Sequence, residues 1–166
     1  MASSPSRPFV ESDAPIMCDA DRDAEIRRWF DFPADFVPSL EHSREVIRRW
    51  DSERTAGTRF PFAVRSVTTN ELLGGCELRP TDQGIANLSY WTYPSLRRRG
   101  VAGRAVRLAC DVAFDELGVQ YVEIVVDSEN LASRAAAEGS GFVESGERDG
   151  RIVYVRMPAY KKGGIR

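Results

Sequence analysis

Apolar and polar residues along this chain change period several times, and each change predicts an element. Residues 21–30 carry acids early and Arg27-Arg28 late, the charge order a helix dipole favours, and predict a short helix. Ser39 is a good N-cap for a second helix running to about Ala56. Leu40, Val46, Ile47 and Trp50 share one face of it, and Gly57 lies just past its end. Residues 60–67 alternate as a strand, 68–71 turn, and 72–78 return as the second arm of a hairpin. Gly74-Gly75 weakens that arm and predicts either a bulge or the close approach of a ligand. After a turn at 81–84, residues 85–93 form a third strand. A helix over 100–117 follows, with Ala102, Ala105, Val106, Ala109, Val112 and Ala113 on its apolar stripe and Arg104, Arg107, Asp111 and Asp115 opposite. Residues 119–126 are rich in Val, Ile and Tyr and read as a central strand. Asn130 caps a short helix to Glu138, stopped by Gly139-Ser140-Gly141. Residues 142–147 and 151–157 form a hairpin over Asp149-Gly150.

A chain of 166 residues with 42% apolar content is expected to build one packed core. The net charge of −2 argues against a dedicated nucleic-acid binder, and no apolar run is long enough to span a bilayer. Cys18, Cys76 and Cys110 are too scattered for a metal site or a disulfide framework, which suits a reducing, cytoplasmic setting. The N-terminus has no secretory apolar segment. Residues 1–6 and 160–166 are expected to be loose tails around a domain at 7–159. Between residues 11 and 35 eight acids face three arginines, a local charge of −5 that could draw a cationic amine or simply be a solvated surface.

The chemistry concentrates at the end of the third strand. Tyr90, Trp91 and Thr92 lead into Pro94, then Arg97-Arg98-Arg99-Gly100-Val101-Ala102-Gly103 opens the long helix. The helix start offers unpaired N–H groups and the positive end of a dipole. Glycines let the backbone bend and a ligand come close. Three arginines beside such donors make a site for phosphate, and their local placement suits one polyanionic small molecule.

This stretch resembles the acetyl-CoA pyrophosphate loop of the GNAT superfamily of N-acyltransferases, whose pattern Gln/Arg-x-x-Gly-x-Gly/Ala appears as Arg97-Arg98-Arg99-Gly100-Val101-Ala102. A second block adds specificity. Asn130, Ser133, Glu138, Gly141 and Phe142 stand in the spacing Asn-x-x-Ser-x-x-x-x-Glu-x-x-Gly-Phe of the branch containing the RimJ and RimL ribosomal-protein acetyltransferases. Arg7-Pro8, Glu11-x-Asp13 and residues 23–29 are similar to that branch's opening, so the resemblance covers residues 7–159. It implies an α/β (α+β) GNAT fold: a mixed, mostly antiparallel twisted sheet with helices on both faces. It implies acetyl-CoA as co-substrate, a primary amine as acceptor and direct attack in a ternary complex. The third strand would splay from its neighbour at a bulge. The backbone of Tyr90, Trp91 and Thr92 would then hold the pantetheine arm, with Asn130 and Ser133 nearby, while the side chains of Tyr90 and Trp91 pack in the core.

Three departures from the family pattern stand out. The family's longer first edge strand is short, absent or otherwise supplied here, since only a Ser/Pro-rich segment precedes Arg7. Asn87 stands where the family often has Glu, and Ala135-Ala136-Ala137 where many members place an acidic Tyr. The candidates for taking the amine's proton are therefore Glu77, preferred because its strand borders the acceptor side in the family fold, and Glu123, set among apolar residues. A cysteine route lacks a partnering His, since His42 alone is present, in a separate helix. A non-catalytic acyl-CoA-binding module stays open as an alternative. Another kind of phosphate binder is disfavoured by the lack of Gly-x-Gly-x-x-Gly and P-loop patterns. No metal is expected, and monomer and homodimer both stay open.

Overall fold

The computed structural model of the chain describes residues 7–159. The two expected tails lie outside the described residues. In chain order the elements are α1 (Ala14–Ala20), α2 (Ala24–Trp29), α3 (Leu40–Thr55), β1 (Phe60–Arg65), β2 (Leu72–Pro80), β3 (Ile85–Thr92), α4 (Val101–Asp115), β4 (Tyr121–Asp127), α5 (Leu131–Gly139), β5 (Val143–Arg148) and β6 (Arg151–Arg156). One six-stranded sheet has the order β1-β2-β3-β4-β6-β5. Every neighbouring pair is antiparallel except β3 and β4, which run parallel.

Two apolar clusters cover the two faces of this sheet. On one side Val106, Ala109, Cys110 and Ala113 of α4 and Ala137 of α5 pack on Leu78, Leu88, Val122, Ile124 and Tyr154. On the other, Met17 of α1, Ile26 of α2 and Ile47 of α3 pack with Phe9 on Ala63, Leu72 and Tyr93. Period-2 alternation explains the division: Leu88 and Tyr90 of β3 join the first cluster, while Trp91 and Tyr93 join the second.

Local chemistry sets several boundaries as the sequence predicts. The Ser39 hydroxyl accepts from His42 N at 3.1 Å and starts α3, and the Asn130 side chain accepts from Ser133 N at 3.1 Å and starts α5. Asp149 and Gly150, at φ of +52° and +74°, make the tight turn of the last hairpin.

The structure departs from the sequence reading at four places. The helix read over 21–30 is the shorter α2, capped by Asp23, whose side chain accepts from Ile26 N at 3.0 Å, and it is preceded by a helix the sequence reading did not predict, α1. Seven-residue α1 has too few turns to stand on propensity; burial of Ala14, Met17, Cys18 and Ala20 holds it. β2 runs two residues further than expected, to Pro80. Arg7 makes a lone bridge to Ala63, so among the described residues no first edge strand precedes β1. Finally, β3 pairs with β2 in unbroken register from Ala86 to Thr92, so the expected bulge is not in that ladder; the irregularity nearest Gly74 lies between β1 and β2, at Val64/Arg65.

Candidate active site

The cleft comes from strand divergence. β3 and β4 pair only over Ile85–Tyr121, Ala86–Val122 and Asn87–Glu123. Beyond Asn87 the β4-facing edge of β3 has no strand partner, so peptide groups from Leu88 to Thr92 are left for an added extended ligand. Leu88, Ser89 and Tyr90 from β3, Ile124, Val125 and Val126 from β4, and Asn130 and Ser133 from α5 line a cavity of about 480 Å³ at this opening.

Tyr90 and Trp91 point to opposite faces of the sheet. The Tyr90 hydroxyl donates to Ser133 O at 2.9 Å and lies 2.7 Å from Ser133 Oγ. Burial pushes that phenol up from its usual range, opposed by the Ser133 hydrogen bond. Trp91 packs between Phe9, Phe30 and Trp50, with ring centroids at 6.0, 5.8 and 5.9 Å. Gly74-Gly75 serves this packing, a correction to the ligand-approach reading: a Cβ at Gly75 would sit 2.2 Å from the Trp91 ring, and one at Gly74 2.2 Å from the Trp91 carbonyl oxygen. Thr92 is opposite Gly74 in the ladder.

At the end of β3 the chain turns through two left-handed residues, Arg98 at φ +65° and Gly100 at φ +71°, into α4. The first helical bond there runs from Arg104 N to Gly100 O, which leaves the N–H groups of Val101, Ala102 and Gly103 without a helical acceptor. Ser140 Oγ donates to Gly103 O at 3.4 Å and ties the end of α5 to this turn. The arginines divide. Arg98 and Arg99 are exposed, whereas Arg97 turns away to Asp23 at 2.6 Å and Glu25 at 2.9 Å. The expected trio is thus a pair beside the loop plus one arginine committed to α2. A larger cavity of about 620 Å³ lies between α4 and β1, lined by Arg7 and Arg99 among others, and shares no lining residue with the cleft.

Both candidate glutamates fall on the α1–α3 side of the sheet. Glu77 is opposite Ser89, Asn87 is opposite Glu123, and Ser89 and Trp91 share parity with Asn87. Glu77 is buried and ion-paired with Arg79 and, at 3.6 Å, with Arg59; Arg79 also donates to Ser89 Oγ at 2.8 Å. Glu123 is buried too, and Arg148 donates to its two oxygens at 2.5 and 3.0 Å. Its surroundings are therefore ionic on one side, not apolar as the sequence suggests. The acidic bias of 11–35 is also largely spent in pairs: Asp13 on Arg65 at 2.5 Å, Asp31 on Arg151 at 2.6 Å, and Asp23 and Glu25 on Arg97.

A second cavity, about 370 Å³, lies between α1, α2, α3 and the β2–β3 face. Glu77, Trp91 and Tyr93 form its floor, and Asp21, Phe30, His42 and Trp50 are among its walls. Sequence reasoning missed Asp21, Trp50 and Tyr93 as site residues. Asp21 was one acid in a long acidic run, Trp50 one residue of a helix's apolar face, and Tyr93 the end of a strand. Burial pushes the Asp21 carboxyl up to about 6, against the pull of His42, Arg27 and Arg22. The cysteines stand apart from this chemistry: all three are buried, and burial pushes Cys76 up to about 12 and Cys110 to about 11. Among the described residues no cluster of His, Cys, Asp and Glu could hold a metal ion, and no helix is long and apolar enough to cross a membrane.

Comparison with known proteins agrees with this geometry. Residues 7–143 match the family described as acetyltransferase (GNAT) domain. The chain is 27% identical over 116 residues to the "Probable N-acetyltransferase YjcK" of Bacillus subtilis, covering 68% of this chain and 64% of that protein. The fold superposes on Mycobacterium smegmatis RimJ in complex with CoA-disulfide with a TM-score of 0.80 at 22% identity, covering 91% of this chain and 80% of that one. It also superposes on spermidine N-acetyltransferase from Vibrio cholerae in complex with CoA and spermine, with a TM-score of 0.71 at 19% identity over 90% of each chain. A sheet parted at β3–β4 and a glycine turn opening α4 are thus the local features of a chain that belongs to the GNAT acetyltransferase family.

Proposed function

We propose that this protein transfers the acetyl group of acetyl-CoA to the primary amine of a protein N-terminus or a small molecule, by direct attack in a ternary complex. The observation that carries this reading is the parting of β3 from β4 after Asn87, with the open N-terminus of α4 at one end of β3. The pyrophosphate lies on the N–H groups of Gly100, Val101, Ala102 and Gly103, with Arg98 and Arg99 beside them. Arg97 holds the loop in place through Asp23. The pantetheine arm pairs with the free edge of β3 at Tyr90, Trp91 and Thr92, against Asn130 and Ser133.

In the reaction the amine nitrogen attacks the thioester carbonyl carbon, the carbon–sulfur bond breaks, and the thiolate leaves. Backbone N–H groups of the splayed strand polarise the carbonyl, and positioning supplies most of the acceleration. The hydroxyls of Tyr90 and Ser133 line the cleft, and as the thiolate departs the Tyr90 O–H turns from Ser133 O to donate to the sulfur. Glu77 accepts the amine's proton, directly or through water, because it is the glutamate lining the second cavity. Glu123, bound on both oxygens, steadies the cleft where β4 leaves β3.

An α-amine suits this site better than a lysine side chain. At pH 7 an α-amino group is neutral about one time in seven and a lysine about once in 2,500. Incubation with acetyl-CoA and a peptide bearing both amines tests the reading, with thiol release and the modified nitrogen located by mass spectrometry. Acetylation confined to the lysine would refute the α-amine assignment. A non-catalytic acyl-CoA-binding module is the second reading, favoured by the ion pairing of both glutamates. It predicts acetyl-CoA binding with no thiol release.

A further inference from the structure

The second cavity has a composition that selects among amines. Its walls are aromatic: Trp50 and Trp91 lie 5.9 Å apart by ring centroid, and Phe30 meets Trp91 edge-on at 5.8 Å. Its lining carries two carboxyl groups, Asp21 and Glu77, and two arginines, Arg49 and Arg59, of which Glu77 and Arg59 are ion-paired. Two of the residues that line it carry polar atoms, Trp50 Nε1 and the Tyr93 hydroxyl, that are buried without a hydrogen-bond partner. Tyr93 is only 3% exposed, and the nearby Trp91 indole does not meet hydrogen-bond geometry with it. A buried donor left unpaired is costly unless something else satisfies it.

Phe30 joins this cavity to the cleft, because it lines both. Glu77 makes the same connection: it lies in the cavity while its partner Arg79 lies in the cleft. Phe30 and the Glu77–Arg79 pair are thus the shared boundary past which an amine seated in the cavity would meet the parted strands. A volume of about 370 Å³ is at the small end of ligand pockets and holds one compact group.

Building on the transferase reading, we infer that the acceptor is an amine on a compact aromatic or bulky apolar body that carries a carbonyl-type hydrogen-bond acceptor, seated in the cavity between α1, α2, α3 and the β2–β3 face. The rings of Trp50 and Trp91 hold the body, and the carbonyl takes the Trp50 N–H. A linear polyamine fits poorly, since it would set several cations against Arg49 and Arg59 and leave the orphan indole N–H unmet.

The test compares four amines with the intact protein: phenylalaninamide, glycinamide, phenethylamine and spermidine. Phenylalaninamide is expected to exceed glycinamide in kcat/KM by about 10- to 100-fold, the effect of burying one large apolar group. It is expected to exceed phenethylamine, which lacks the carbonyl, and spermidine. Trp50→Phe keeps the ring and removes the N–H, so it should shrink the phenylalaninamide-to-phenethylamine ratio while leaving the acetyl-CoA Kd unchanged. Binding is read separately, as a change in tryptophan fluorescence on titrating phenylalaninamide into the CoA complex. If glycinamide or spermidine matches phenylalaninamide, this inference fails and the transferase reading stands. If no amine is acetylated yet phenylalaninamide still perturbs the fluorescence, the transferase reading fails and the cavity assignment stands. With neither a rate preference nor binding, the cavity assignment is overturned.

Discussion

The Arg97 guanidinium closes on Asp23, the cap of α2, at 2.6 Å, although Arg97 sits in the same basic run as the glycine turn that opens α4. The pair ties the glycine turn that opens α4 to the helices that wall the second cavity. Burial tends to raise the Asp23 carboxyl, but the Arg97 hydrogen bond and the Ile26 N–H outweigh it and hold the group below its usual range.

Arg97→Ala should therefore destabilise the protein by about 1 kcal/mol at neutral pH, as a partly buried ion pair does when broken. A carboxyl lowered in the folded state adds stability above its unfolded value near 3.9, and that stability is lost as pH falls through the lower folded value. The difference between parent and variant in urea unfolding should thus be present at pH 7 and shrink as pH falls below about 4. A difference that grows with acid would refute the pair's role.

Asp21, two residues earlier, is predicted to behave with the opposite sign. In the folded chain it keeps its proton up to about pH 6, in the unfolded chain only to about 3.9. Between those values the folded state binds more protons, so this group lowers stability as pH rises and its cost is complete above about 6. Asp21→Asn should raise Tm relative to the parent at pH 7.5, with the gap closing toward pH 4. A gap independent of pH would mean that Asp21 is not the titrating group.

Gly100 separates backbone strain from ligand crowding. Its φ of +71° makes any side chain strained, yet a Cβ there would meet nothing within 4 Å. Gly100→Ala should cost about 1 kcal/mol of stability. Gly100→Glu adds a charge and bulk where the pyrophosphate is proposed to lie. Losing two charge-assisted hydrogen bonds weakens acetyl-CoA about a hundredfold or more. Isothermal titration of both folded variants checks this, and equal Kd values for Glu and parent would sink the loop assignment.

Gly75→Ala tests the floor of the second cavity. The new methyl would stand 2.2 Å from the Trp91 ring, so the ring must move. Overpacking of this kind costs about 1–3 kcal/mol. The displaced ring should raise KM for the amine more than KM for acetyl-CoA, measured by thiol release. A larger effect on acetyl-CoA would place Trp91 with the cofactor instead.

Glu77→Gln keeps the shape of the side chain and removes its negative charge. If Glu77 takes the amine's proton, kcat/KM should fall and the acidic limb of the pH–rate profile should change. An unaltered profile would transfer the role to water ordered by backbone carbonyls.

Features that depend on near neighbours are legible in the chain alone. Ser39 and Asn130 cap helices with their own hydroxyl and amide, and Asp149-Gly150 turns a hairpin through two positive φ angles, because each needs only a few adjacent residues. The motif spacing around Gly100 and Asn130 carried the family in the same way, by keeping a loop, a helix and a strand at fixed lengths. The rest depends on which residues meet across the sheet, and only packing of the folded chain sets that. Seven residues make α1 a helix only where Ala14 and Met17 can be buried. Gly74-Gly75 takes its meaning from a ring on the next strand, and Arg97 from a helix cap 74 positions away. Asp21 could not be told from its acidic neighbours in the sequence. Packing placed it on a cavity wall while Asp13, Asp23 and Asp31 were drawn to arginines elsewhere, and long-range contacts of that kind leave no local pattern to read.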